Sequence, residues 1–226
     1  MGLVEPGQEG LEEIIDDPML DGVIKFLPRC ISPTPPPFPT VLNHFIENLK
    51  EAGLIGVYSD GTGHGNGAVL LSDGSMVATA TQTQKYRFLD EKGYVLIPPE
   101  ADVDQEEVPF VGMQNPSSES RTLLAIARKI AVVREPISVV AAVIHIHHQE
   151  GQLRAAKLGL PESASRYRYG TVGFAHEAVE VVDRIKGNAG GFGTPSHLDG
   201  LFFYAPTVGE AYQLTVDYID RVIRTR

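Results

Sequence analysis

Residues 145–148 read His-Ile-His-His at the end of an apolar run, Ala141-Ala142-Val143-Ile144. A run this short, built from small and β-branched residues, predicts a buried strand. Side chains alternate faces along a strand, so His145 and His147 project the same way, about 7 Å apart by strand rise. Two imidazoles aimed into one space can share a metal ion. Two hydrogen-bonded histidines at a strand end are the commoner arrangement. Two further stretches bear on the choice. Pro116-Ser117-Ser118-Glu119 sets a carboxylate at the start of a helical pattern, and Gly190-Gly191-Phe192-Gly193-Thr194-Pro195-Ser196-His197 sets another histidine in a glycine-rich turn before an apolar segment. Three neutral imidazoles with an open position are the usual layout of a catalytic divalent metal, zinc above all. A carboxylate nearby serves as a fourth ligand or a general base. Helix capping competes for the same residues, because the serines suit an N-cap and Glu119 suits the positive end of the helix dipole.

The elements that must position these groups follow from periodicity. Thr40 caps a helix whose apolar face is Val41, Leu42, Phe45, Ile46 and Leu49, with Gly53 as its stop. Extended segments are expected over residues 54–58, 68–71 and 76–80, the last two joined by an Asp73-Gly74 hairpin turn. The loop Gly61-Thr62-Gly63-His64-Gly65-Asn66-Gly67 could cradle an anion with backbone N–H groups. It is not a dinucleotide fingerprint, because a strand follows it. Residues 85–115 read as irregular and acidic, with a short strand over 94–97. The helix opened at residues 116–119 carries Leu123, Leu124, Ile126, Ala127, Ile130 and Val133, and Pro136 ends it. Helices are also expected over residues 149–158, from Thr171 to Lys186 with Gly187 as stop, and after a capping box of Thr207 and Glu210. An apolar strand spans residues 201–204. Strands cluster in the middle with helices between them. The pattern predicts one layered α/β domain with a central, largely antiparallel or mixed sheet flanked by helices. Residues 1–39 differ: an acidic segment over 11–17 could form a short helix, and Pro33-Thr34-Pro35-Pro36-Pro37-Phe38-Pro39 must be extended. This N-terminal Pro-rich arm is expected to pack across the domain of residues 40–226 or a neighbouring subunit.

Composition narrows the partners. A net charge of −10 argues against nucleic acid, which calls for a basic face. No apolar run approaches the roughly 20 residues of a membrane span. The opening residues lack the basic and apolar regions of a signal peptide. The single cysteine, Cys30, has no internal disulfide partner. These features make a cytoplasmic protein the expectation.

Taken together, Gly65-Asn66-Gly67, Thr79-Ala80-Thr81, Pro116-Ser117-Ser118-Glu119, Ala142-Val143-Ile144-His145-Ile146-His147, Tyr169-Gly170-Thr171, and His197 followed by residues 200–211 resemble the class II aldolase/adducin family. Their order and approximate spacing match from about residue 40 to the end. The resemblance implies that His145, His147 and His197 ligate zinc or another divalent transition metal. Glu119 would be the acid/base residue, and Asn66, Thr81, Ser117 and Ser118 would hold a substrate phosphate. Tyr167 would donate a proton, in the site of a neighbouring subunit of a homotetramer. The activity implied is that of a lyase. It would cleave or form a C–C bond next to a ketone in a small hydroxy-carbonyl or sugar-phosphate substrate, with the metal as Lewis acid. An epimerase or dehydratase could use the same site. An adducin-like assembly module, with no catalysis, is the alternative from another class.

The sequence departs from the family in four places. Gln82 follows Thr81 where the family carries glycine, and Ala68 replaces the serine of the family's Gly-Asn-x-Ser. The interval from Glu119 to His145 is longer by about two helical turns. Leu198-Asp199-Gly200 follows His197 where the family has glycine directly. The ligand set therefore transfers better than the phosphate pocket. Of the other histidines, His148 is expected to face away from His147, His64 to lie in the glycine-rich loop near the substrate pocket, either solvated or touching an anion, and His44 and His176 to sit on helices without an evident partner.

Overall fold

The computed structural model describes residues 23–131, 139–195, 197 and 199–225. In chain order the elements are β1 (Leu27–Ser32), α1 (Thr40–Glu51), β2 (Gly56–Val57), β3 (Gly63–His64), β4 (Asn66–Leu71), β5 (Met76–Thr79), β6 (Tyr94–Ile97), β7 (Glu107–Gly112), α2 (Ser120–Ile130), β8 (Val139–His147), α3 (Gln149–Leu153), α4 (Val172–Ile185), β9 (Gly190–Thr194), β10 (Gly200–Ala205) and α5 (Val208–Arg224). The segment expected as a helix over residues 11–17, and Pro136 as a helix end, lie outside the described residues.

Among the described residues the strands form one eight-stranded sheet, ordered β1-β7-β6-β5-β4-β8-β10-β9, with β2 and β3 as a separate ribbon. Only β1 runs parallel to its neighbour, β7; the other pairs are antiparallel. The sheet is thus mixed and largely antiparallel, as its sequence pattern implied. β8 lies inside the sheet, between β4 and β10, and both of its faces are apolar. Ala141 and Val143 join the core under α2 and α4, whereas Ala142, Ile144 and Ile146 join the core under α1 and α5. The residues in step with Ala141 and Val143 are His145 and His147, so both histidines face the α2 side. No helix among the described residues is long and apolar enough to cross a membrane.

Local differences from the sequence reading have physical causes. Pro39, not Thr40, is the N-cap of α1. The stop of α4 is Lys186, which itself adopts φ +56° before Gly187 is reached. The helix after β8 is one short turn of α-helix and a 3-10 turn over Ala156–Leu158. Residues 85–115 contain a second strand, β7, and residues 27–32 give the sheet its edge strand β1. Pro28 pairs with Val108 and Pro109 with Arg29, so a proline falls within each strand of the parallel pair at this edge. Phe38, after the proline stretch, packs edge-to-face on Tyr94 at 5.7 Å. The hairpin at Asp73-Gly74 is present, with Gly74 at φ +85° and the Ser75 N–H donating to Asp73 Oδ1 at 2.9 Å.

Two contacts fix the helix that carries Glu119. The Thr81 N–H donates to the Asn115 carbonyl at 2.9 Å, beside a bridge between Ala80 and Pro116. On the other side Gly170, at φ +73°, lies so close that a Cβ there would stand 2.6 Å from the Ser118 carbonyl oxygen. Gly170→Ala therefore meets both an unfavourable backbone region and a backbone clash. It is expected to destabilise the protein by at least about 1–3 kcal/mol in urea unfolding. A midpoint unchanged from the parent would refute this account of how the helix start is held.

Candidate functional site

The sheet register gathers the residues. His145 pairs with Asn66 of β4 on one side and Phe202 of β10 on the other, and His147 pairs with Gly200. Gly65, at φ +76°, lets the glycine-rich loop turn into β4 directly against His145, whose carbonyl a Cβ would meet at 3.2 Å. The turn after β9 returns His197 to the same wall. Ring centroids are 4.7 Å apart for His145 and His147, 4.6 Å for His147 and His197, and 5.4 Å for His145 and His197. One ligand atom from each lies within 4.8 Å of the others. All three side chains are buried.

The surroundings hold these rings in place. Phe202 stacks under His145 at 4.2 Å, with the planes 9° apart. Tyr169 stacks on His197 at 4.7 Å, and the Lys25 ammonium sits 3.3 Å from the Tyr169 ring centroid. Among the described residues, neither ring nitrogen of His145 has a hydrogen-bond partner. Burial first, then the neighbouring His147, His197 and His64 rings, hold its pKa well below the ordinary histidine value. Its lone pair is therefore available near neutral pH. Three imidazoles whose ligand atoms lie within 4.8 Å of one another fit a divalent ion. Buried, neutral nitrogen donors are the chemistry such an ion takes.

Glu119, Asn66, Thr81, Ser117 and Ser118 line one cleft together with His145, His147 and His197. Glu119 is buried and stands at the N-cap of α2, but its side chain makes no capping bond. It lines the cleft and also stands at the positive end of the helix dipole. Ser117 Oγ lies 3.2 Å from Ser120 Oγ. Tyr167 does not line this cleft. It is 44% exposed and rests on the backbone of Gly173.

Other residues line or border the cleft. His64 lines it, half-buried, with its ring 5.1 Å from His147 and 4.5 Å from Tyr58, so the solvated alternative does not describe it. Gln82 and Gln84 line it as well. Asp199 lies 2.9 Å from His147 Nδ1 and accepts from the Tyr58 hydroxyl at 2.7 Å. Burial pushes the Asp199 carboxyl up. Hydrogen bonding and charge from His147, the Tyr58 bond and His197 outweigh this and hold its pKa below the ordinary value. The Asp199-Gly200 turn, two residues past His197, was the only hint in sequence. The remaining histidines are structural. His148 caps α3 by accepting from the Gly151 N–H at 2.8 Å. His176 does have a partner, Asp104, at 2.6 Å, and His44 lies 3.4 Å from Asn48.

No family model and no curated protein matches the sequence. Solved structures do match in shape. An L-fuculose 1-phosphate aldolase superposes with a TM-score of 0.55 at 20% identity, covering 82% of each chain. YgbL from Escherichia coli, a candidate aldolase/epimerase/decarboxylase, superposes with a TM-score of 0.57 at 17% identity over 81% of this chain and 85% of its own. The L-fuculose-1-phosphate aldolase of Thermus thermophilus gives 0.53 at 17% identity, over 81% and 90%. A mixed sheet with helices on both faces, shared with these structures across four-fifths of the chain, gives this protein the fold of the class II aldolase family.

Proposed function

We propose that this protein is a divalent-metal-dependent lyase, zinc being the preferred ion, that cleaves or forms a C–C bond next to a ketone in a small hydroxy-carbonyl substrate. The observation that carries the reading is the set of three buried imidazoles with ligand atoms within 4.8 Å, opening into a cleft that Glu119 shares. His145, His147 and His197 would hold the ion. A bound divalent ion supplies Lewis-acid polarisation of a carbonyl. Glu119 takes and returns the proton at the reacting carbon or hydroxyl, a role that suits a carboxylate buried beside the ligands and not spent on capping its own helix. Asn66, Thr81, Ser117 and Ser118 orient the polar end of the substrate, phosphorylated or not, through hydroxyl and amide hydrogen bonds. Tyr167, exposed and outside the cleft of its own chain, would act as a proton donor in the site of a neighbouring subunit of a homotetramer. The reducing cytoplasm suits the exposed Cys30.

The reading is tested by metal content and by variants assayed for aldol cleavage of ketose phosphates and unphosphorylated ketoses. The purified protein is expected to bind zinc at micromolar concentration or below, and chelation is expected to abolish turnover. Glu119→Gln should keep the metal and lower kcat by about 100-fold or more, the scale of a general acid–base contribution. His145→Ala should lose the metal. Full activity in either variant, or no metal binding by the parent, would sink the proposal.

The metal-free protein should show a pH-dependent stability. His145 binds its proton less tightly when folded than when unfolded. Below the ordinary histidine pKa of 6.5 the unfolded chain takes up a proton there that the folded chain refuses. Stability is therefore complete above pH 6.5 and falls as the pH drops below it, by up to about 1.4 kcal/mol per pH unit for one proton. Urea midpoints of the metal-free protein at about pH 7.5 and about pH 5.5, on either side of that value, should differ in this direction, and His145→Gln should narrow the gap. The same gap in both proteins would show that His145 is not the titrating group.

A further inference from the structure

Resting on the metal reading above, we infer that Asp199 and Tyr58 are positioning residues that orient His147 for metal binding: the Asp199 carboxylate holds His147 through Nδ1 and leaves Nε2 as the nitrogen that ligates. The geometry is a closed three-way contact. His147 Nδ1 lies 2.9 Å from Asp199 Oδ1, and the Tyr58 hydroxyl donates to Asp199 Oδ2 at 2.7 Å while also touching His147 Nδ1. A carboxylate accepts and cannot donate, so the imidazole proton belongs on Nδ1 and the lone pair on Nε2. The backbone fixes the arrangement from both sides. The His147 N–H donates to the Leu54 carbonyl at 3.0 Å, and the His148 N–H donates to the Asp199 carbonyl at 2.8 Å.

The two strand histidines differ in this respect. His145 is held by stacking on Phe202, with no hydrogen bond at either nitrogen among the described residues. His147 is held by a carboxylate at Nδ1. Asp199 stands in the turn between His197 and β10, within the Leu198-Asp199-Gly200 segment where the chain departs from the family pattern. The departure thus introduces a carboxylate at the back of a ligand. Such a partner fixes ring orientation and tautomer and raises ligand basicity, and its removal typically costs about 10–100-fold in metal affinity. Tyr58, directly after β2, closes the other oxygen of the carboxylate and restrains its rotation.

The experiment pairs two measurements on the full-length chain. Nitrogen-15 spectra of the histidine rings in the metal-free protein report the tautomer, and competition with a chromogenic chelator reports the zinc dissociation constant. In the parent, His147 should be the Nδ1–H tautomer. In Asp199→Asn the amide can donate to Nδ1, so the proton should move to Nε2 and the zinc dissociation constant should rise about 10–100-fold. Asp199→Glu should recover part of the loss. Tyr58→Phe should keep the tautomer and lose less affinity. The far-ultraviolet circular dichroism of every variant should match the parent. An Nε2–H tautomer in the parent, or parental zinc affinity in Asp199→Asn, would overturn the inference. So would a loss in Asp199→Asn as complete as in His147→Ala, which would make Asp199 itself a ligand. If the parent binds no zinc, the metal reading fails, and the tautomer measurement still decides whether Asp199 sets the ring.

Discussion

Three buried imidazoles stand in mutual contact at one wall, and a positive charge on His145 is disfavoured there. Desolvation and mutual repulsion act in the same direction here, and His145, inside the sheet, receives both. Each ring has its own support in the wall. Phe202 supplies a parallel face to His145, Tyr169 does so for His197, and Asp199 takes the proton-bearing side of His147. One ligand atom of each histidine faces a common space. Burying polar atoms without partners, as at both nitrogens of His145, costs free energy, and a divalent cation would relieve that cost. On this view the site is a local source of instability tolerated by a well-packed sheet, whose strand β8 is buried along almost its whole length.

That dependence explains which parts of the molecule were legible in the sequence. β8 was readable because both of its faces are apolar until residue 145, so the phase of the histidines could be counted from Ala141 and Val143. α4 and α5 were readable from their period and caps, and Thr171 and Thr207 do accept from the Phe174 and Glu210 N–H groups. β1, β7 and β9 were not readable. Pro28 and Pro109 stand inside the first two, where proline normally argues against a strand. β9 is Gly190-Gly191-Phe192-Gly193-Thr194, which reads as a turn. Its glycines are required by space, because a Cβ on Gly191 would come within 2.5 Å of the Phe203 ring. These strands exist because a neighbour demands them, which no local pattern records.

The candidate site divides along the same line. His145, His147, Glu119, Asn66, Thr81, Ser117 and Ser118 lie in segments whose motifs are contiguous, and they line one cleft with His197. Tyr58 and Asp199 meet across 141 positions of chain. Nothing in either neighbourhood marks them as a pair, since a tyrosine before a turn and an aspartate before a glycine are ordinary loop residues. Only the sheet register, which sets Gly200 opposite His147, brings the turn containing Asp199 behind the ring.

The loop at Thr81-Gln82 shows why a departure from a family pattern has to be read as geometry. Gln82 stands where the resemblance expects glycine, and it adopts φ +57°, the left-handed conformation a glycine would supply. The position thus carries a left-handed backbone at the strain cost of a non-glycine residue. What changes is the added side chain. Gln82 Oε1 accepts from the Gly63 N–H at 3.2 Å, and Gln84 Nε2 donates to the Gly65 carbonyl. One backbone N–H of the glycine-rich loop is thus already engaged by a neutral amide. An anion reaching that N–H has to displace Gln82, and the lining residues on that wall offer amides, hydroxyls and an imidazole. The substitution thus shifts the balance of this wall toward neutral polar groups.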